Sequence, residues 1–287
     1  MAIKLTNQAL RDQLAGVMQG DNEARLPFPA PVFWVMNGNT SLKRLGGAQY
    51  FGGWATSAED FDAVLTEVEK PVPPTLTKHD FTPRNSEKEI DIYSTRAVSI
   101  APIAKRLSSL EKLTGVRYPG YHKGASPHLQ IVAMLAYKPK ETQEVVVWSP
   151  ILLSAKGYQV GKVLDAFAKW SKVTRKARRE FADGLDANLF YCTIGTFGDK
   201  PNFQGVGTSK DTSTITPIEL YEPKDGITEK TIDFLFVGEE VAATMADYRE
   251  QAREWMDAWN KPKEQTLAAG TLPEVEELPT EEEELTL

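Results

Sequence analysis

Cysteine is almost missing from this 287-residue chain: Cys192 stands alone, which excludes an intramolecular disulfide and any zinc site built from several cysteines. Histidine is nearly as scarce, with only His79, His122 and His128, so neither a histidine-rich metal centre nor any other cofactor is expected. No apolar run is long enough to span a bilayer, and Met1 to Gly20 holds Lys4, Arg11 and Asp12 where a signal peptide has its apolar centre. These absences lead to the expectation of a cytoplasmic protein. Cations are absent from residues 264–287, which hold 8 glutamates, whereas residues 1–263 carry all 33 Lys and Arg against 32 acids. The net charge of -7 therefore belongs to the end of the sequence. Within the near-neutral body, residues 101–182 hold 15 Lys and Arg against 5 acids, so the centre is strongly basic.

What is present reads as three regions. In residues 1–88, an accessory region, the spacing of Ile3, Leu5, Leu10, Leu14, Val17 and Met18 predicts a short amphipathic helix. Val32 to Met36 reads as a strand closed by Asn37-Gly38-Asn39, and Leu45 to Trp54, three aromatics bracketed by glycine pairs, as a hairpin or bulged strand whose aromatics fill a core or else face a ligand. Ser57 caps a helix to Glu69 with Phe61, Val64, Leu65 and Val68 on one stripe. Pro71 to Pro74 stop it, and the polar run to Lys88 reads as a linker.

Residues 89–260 have a different texture. Strands are expected at Ile90–Ile100, Leu129–Tyr137 and Val145–Trp148, then an amphipathic helix near 158–173, then strands at 189–197 and 213–221. A short strand, Ile232–Val237, and a helix from Glu239 to Trp259 complete this region. Residues 261–287 have too few apolar side chains for a core and are expected to be a disordered acidic tail. Three strands, a helix and two strands is the order of an OB-fold, a five-stranded Greek-key barrel. The expected class is therefore mainly β with helices, an α+β chain around such a barrel; a mixed α+β sheet gives the same string.

The residues suited to binding gather in the basic centre. The connection from about Ala104 to Pro127 holds Lys105, Arg106, Arg117, Tyr118, Tyr121 and Lys123, and cations beside aromatics suit single-stranded nucleic acid, offsetting phosphate charge while ring faces stack on bases. Lys156 stands before the central helix, and Lys172 to Arg179 at its far end holds Arg175, Lys176, Arg178 and Arg179 with no acid between them. Trp148, Tyr191 and Phe197 in strands and Phe203 in the Gly198–Gly207 loop are further stacking candidates. Each residue type has a second reading: the tyrosines pin a long loop, the strand aromatics and Trp170 fill a core, and the cations answer the helix dipole.

In this layout, the strand and helix order of Ile90 to Tyr221 followed by the acidic run Glu274 to Leu287, the chain resembles single-stranded DNA-binding proteins of bacterial and phage type. The resemblance covers about half the chain. It implies sequence-tolerant binding and protection of single-stranded DNA in replication or recombination, with the acidic tail competing for the groove or docking partner proteins. The ending Glu284-Leu285-Thr286-Leu287 departs from the terminal aromatic of such tails. Two other readings remain open: a phage structural or adaptor protein acting through protein contacts, and an RNA-binding protein.

Catalysis is not expected. Gly157 to Val163 is one residue short of a phosphate loop and has Val163 where a magnesium-holding hydroxyl is needed. Cys192 lies inside an expected strand as an inert thiol.

Overall fold

The computed structural model describes residues 26–39, 50–67, 72–73, 75–82, 89–111, 117–137, 146–198, 202–208, 211–223 and 226–257. The expected helix within residues 1–19, residues 45–49 of the glycine-rich stretch, the linker from 83 to 88 and the acidic tail lie outside them.

In chain order the described residues form strands β1 (Val32–Asn39) and β2 (Tyr50–Ser57), helix α1 (Ala58–Glu67), and strands β3 (Thr77–Phe81), β4 (Ile90–Thr95), β5 (Ala97–Leu110), β6 (Arg117–Pro119), β7 (Ser126–Tyr137) and β8 (Val146–Lys156). Helix α2 (Tyr158–Phe181) follows, then strands β9 (Cys192–Gly195), β10 (Gln204–Thr208), β11 (Asp211–Ile215) and β12 (Glu219–Leu220), and helices α3 (Glu229–Leu235), α4 (Glu239–Gln251) and α5 (Arg253–Asp257). The class is mixed α+β. One sheet of 10 strands runs β12-β9-β5-β7-β8-β1-β2-β4-β3, with β6 on β5, and β10–β11 form a separate hairpin. Among the described residues no helix is long and apolar enough to cross a membrane.

Two expectations about the sheet are corrected. The strand expected at 213–221 is divided: Asp211–Ile215 pairs with β10 in the separate hairpin, and only Glu219–Leu220 joins β9. Pro217 lies between the two pieces, and proline has no N–H to continue a ladder. The hydrogen bonds do not close a five-stranded barrel either, because the sheet is open with β12 and β3 at its ends. Strands β1 and β2, which fall within residues 1–88, pair with each other and lie inside this sheet: β1 pairs parallel with β8, Phe33 opposite Leu153, and β2 pairs with β4.

Polar contacts curl the sheet so that the hairpin approaches β9. Trp54 Nε1 donates to Ile194 O at 3.2 Å, Thr196 Oγ1 donates to Gly52 O at 2.7 Å, and Gly38 N donates to Thr216 Oγ1 at 2.7 Å. β4 and β5 are one length of chain interrupted only at Arg96, which two glycines clamp. A Cβ on Gly53 would stand 2.3 Å from Thr95 O, and one on Gly195 would stand 2.2 Å from Arg96 O. Neither position has room for a side chain.

Helix α2 forms because Val160, Val163, Ala166, Trp170 and Ala177 recur at helical spacing and bury one stripe on the sheet. Facing them are Ile100, Leu129, Ile131, Ile151 and Leu153, and Trp170 Nε1 donates to Ala187 O at 3.2 Å. On the other sheet face Ala104, Val132, Met134 and Leu152 pack under Met245, Ala252 and Trp255 of α4, α5 and the residue between them. The strand expected at Ile232–Val237 is instead covered by helix α3, with Val237 just past its end. Thr228 caps it by accepting from Thr231 N, and Glu229 sits in the first turn, where the helix dipole favours an acid. The linker also hides a strand: β3 pairs with β4, and Lys78 meets Asp91 at 2.8 Å.

Candidate nucleic-acid interface

Strand register builds this site row by row. On the face covered by α4 and α5, Ala104, Val132 and Leu152 stand side by side across β5, β7 and β8. Two residues further along comes Arg106, Gln130, Ser154, and two further still Ser108, His128, Lys156. Cross-strand partners project from the same face, so the surface changes from apolar under the helices to polar at the end of the sheet.

The middle row is a structural network. Arg106 is 6% exposed; its Nε donates to Gln130 Oε1 at 2.6 Å, its Nη1 to Trp255 O at 3.3 Å, and its guanidinium lies 4.1 Å from the centroid of the Trp255 ring. Burial lowers its pKa to about 10, so it stays charged at neutral pH. The phosphate-contact expectation for Arg106 is thereby corrected: its donors point into the protein. His128 Nε2 and Ser154 Oγ share a hydrogen bond of 2.9 Å in the same strip.

Beyond the last row the chain turns through Pro119 to Ala125. Ser109 Oγ donates to Gly120 O at 2.8 Å and accepts from His122 N at 3.0 Å, so a buried hydroxyl fixes the turn. Tyr118 stacks on His122 with centroids 3.8 Å apart and planes 10° from parallel, and its hydroxyl donates to Glu111 Oε2 at 3.2 Å. Desolvation, then the charge of Glu111, raises the Tyr118 pKa. Tyr121 projects from the same turn, 73% exposed, beside the exposed Lys123. Gly157 N donates to Pro127 O at 2.8 Å, which brings Lys156 and Tyr158, on either side of Gly157, to this end of the sheet.

The structure therefore places Tyr118, Tyr121, Lys123 and Lys156 from the sequence-derived set at one end of the sheet, where His122 and Tyr158, the latter 54% exposed, also stand. An aromatic in the first turn of a helix, two residues from a lysine, was the available signal for Tyr158. Among the described residues neither Lys123 nor Lys156 pairs with a carboxylate.

Other expected members lie elsewhere. Arg175, Lys176 and Arg179 are exposed near the far end of α2, about 26 to 31 Å from Tyr158 at 1.5 Å per residue. Arg178, in the same run, is corrected: only 9% exposed, it donates from Nε to Thr174 Oγ1 at 3.1 Å, from Nη2 to Ser171 O at 3.3 Å, and from Nη1 to Leu185 O. Its guanidinium ties the turn Ser171–Thr174 to Leu185, just past the end of the helix. Tyr191 is corrected as well: it is 4% exposed among Val132, Met134 and Val237, and burial pushes its pKa up to about 12. Its face has no access to a base.

Lys105 projects on the α2 side of β5, at the rim of a 450 Å³ cavity lined by Leu164, Phe167 and Trp170. Phe197 packs on Tyr221 with centroids 5.6 Å apart, beyond the Ala97 end of β5, and Phe203 precedes β10. They lie roughly 40 Å along the strand from the Tyr121 turn. The two connections expected to border one face thus stand at opposite ends of β5. The backbones of Arg117 and Trp148 lie in β6 and β8, and their side chains lie outside the described residues.

No protein-family model matches this chain, and no curated protein or solved structure matches it.

Proposed function

We propose that this protein binds single-stranded DNA, largely without regard to sequence, and protects it during replication or recombination. The observation that carries the reading is the cluster at the end of β5, β7 and β8: an exposed tyrosine at a braced turn, a stacked tyrosine–histidine pair, a second exposed tyrosine, and two lysines unpaired among the described residues. Exposed rings give bases a stacking surface, worth about 1–3 kcal/mol per base, and free lysines attract the phosphates between them. No step of covalent chemistry is needed.

The topology supports an OB-like relation. From β5 the sheet passes through β7, β8, β1 and β2 to β4, and β4 runs on into β5 through Arg96, so a five-strand circuit of chain returns to its start while the hydrogen-bonded sheet stays open. The hairpin β1–β2 takes the two places that sequence order gave to 189–197 and 213–221. Residues 264–287, with 8 glutamates and no cation, are a polyanion in the same chain and compete with the strand for the lysines.

Fluorescence anisotropy with labelled oligothymidine at low salt tests the reading. The full chain binds, affinity falls steeply with salt, and deletion of residues 264–287 raises it. Tyr121→Ala weakens binding about five- to hundredfold, the worth of one stacked base, and leaves the melting temperature unchanged. No binding at low salt by either the full chain or the deleted form would overturn the proposal. Equal or tighter binding of oligouridine would move it to RNA.

A further inference from the structure

Helix α2 carries a second surface that the cluster at the sheet end does not use. Opposite its buried stripe, Tyr158, Lys162, Asp165, Lys169, Lys172, Lys176 and Arg179 recur at alternating steps of four and three, which places them in one line along the solvent side, with Arg175 beside it. The line starts at Tyr158, inside the cluster, and ends about 31 Å away at Arg179. Of its cations only Lys169 is paired, with Glu222; among the described residues Lys162, Lys172, Arg175, Lys176 and Arg179 meet no carboxylate. Lys172, Arg175, Lys176 and Arg179 frame a shallow depression with Glu180.

Such a line works against the helix. Like charges three or four residues apart destabilise it by about 0.2–0.5 kcal/mol per pair, and the four cations form four such pairs. The helix dipole rewards only the last turn, and there the backbone N–H groups of Ala182 and Gly184 already donate to Arg178 O. Packing does not require the charges either, because Val163, Trp170 and Ala177 hold α2 from the other side. A polyanion lying along the line removes the repulsion.

Resting on the single-strand reading above, we propose that this face of α2 is a phosphate rail: a strand stacked at Tyr121 and Tyr158 continues along the helix and meets Lys172, Arg175, Lys176 and Arg179 through its phosphates alone. No exposed aromatic stands on the line beyond Tyr158, so this half of the contact is blind to base identity. At 3.4 Å per nucleotide the line takes about nine nucleotides, fewer if the strand is stretched.

Length and salt together test the rail. Oligothymidines of about five and about twenty nucleotides are titrated against the full chain and against a variant with Lys172→Gln, Arg175→Gln, Lys176→Gln and Arg179→Gln. All four side chains are exposed, and a thermal melt confirms the fold. Each phosphate contact on a single strand contributes about 0.7 to the slope of log affinity against log salt, so the variant's slope for the long oligomer is shallower by about 3 and its slope for the short one is unchanged. Tyr121→Ala weakens both lengths. An unchanged slope for the long oligomer overturns the rail, and so does an equal loss at both lengths, which would make the patch an independent site. Failure of the parent chain to bind either length overturns the single-strand reading itself.

Discussion

Arg106 separates a structural cation from a binding one, and its removal can be priced from its contacts. Arg106→Ala strips Gln130 Oε1 and Trp255 O of their buried donor and removes the guanidinium from the Trp255 ring. An orphaned buried acceptor costs about 1–3 kcal/mol, and a desolvated cation–π contact contributes about 0.5–2 kcal/mol. The cavity left under Trp255 adds to these, so a loss of about 3–5 kcal/mol is expected. For a domain stable by about 5–15 kcal/mol that is a large fraction, and it appears as a shift of the urea midpoint at unchanged slope. Arg106→Met fills the space without the charge and loses less, since exchanging a buried charge for an apolar side chain of similar volume is far milder than deleting it. Oligothymidine affinity of the folded fraction stays within about twofold for both variants. An Arg106→Ala protein with parental stability and tenfold weaker binding would refute the structural role and return Arg106 to the phosphate contacts.

Ala at Gly195 or Gly53 drives a methyl into backbone beside Arg96, so each substitution costs about 3 kcal/mol or more in urea unfolding, whereas Gly205→Ala, with nothing within 4 Å, shifts stability by no more than about 1 kcal/mol. Burial pushes the Cys192 thiol up from 9.0 to about 12, so the unfolded chain ionises first and stability falls as pH rises above 9. The cysteine's part of the fall is about 1 kcal/mol between pH 9 and 10, steepening toward about 1.4 kcal/mol per pH unit above that, and this part disappears in Cys192→Ala when unfolding is followed across that range. The same thiol resists an aqueous thiol reagent until the protein is unfolded.

Local patterns carried the elements. The stripe Val160, Val163, Ala166, Trp170 places α2, and Ser57 stands before α1, its Oγ accepting from Asp60 N at 3.3 Å. The helix at Glu229–Leu235 was legible too, through Thr228 and Glu229, but the apolar run of Ile232 to Val237 outweighed its cap. Burial of single side chains was half legible. Trp170, Thr174 and Arg178 are four apart, so a core position for Trp170 already turns Arg178 inward, and only its bonds to carbonyls make that tolerable. Arg106 gave no such sign, because what covers it is Trp255, 149 residues away.

Sheet order was the least legible, for a physical reason. Alternation states that a strand has a buried face and leaves its neighbour unspecified. The parallel pair β1–β8 joins Val32 to Leu152 across more than a hundred residues, and nothing near either strand encodes it. A second long-range contact lies at the crossing of β4 into β5. Gly53 and Gly195, far apart in sequence, admit the backbone at Arg96 from two sides, and Trp54 Nε1 reaching Ile194 O sets how closely β2 and β9 approach. The glycine pair before Trp54, read from sequence as the bracket of a hairpin or bulged strand, lets the Thr95–Arg96 backbone pass close against β2. β5 runs from that contact to Ser109, whose hydroxyl holds the Tyr121 turn. The candidate interface is therefore positioned from the opposite end of the strand, and a methyl at Gly53 or Gly195 should disturb oligothymidine binding through the fold before any residue of the cluster is touched.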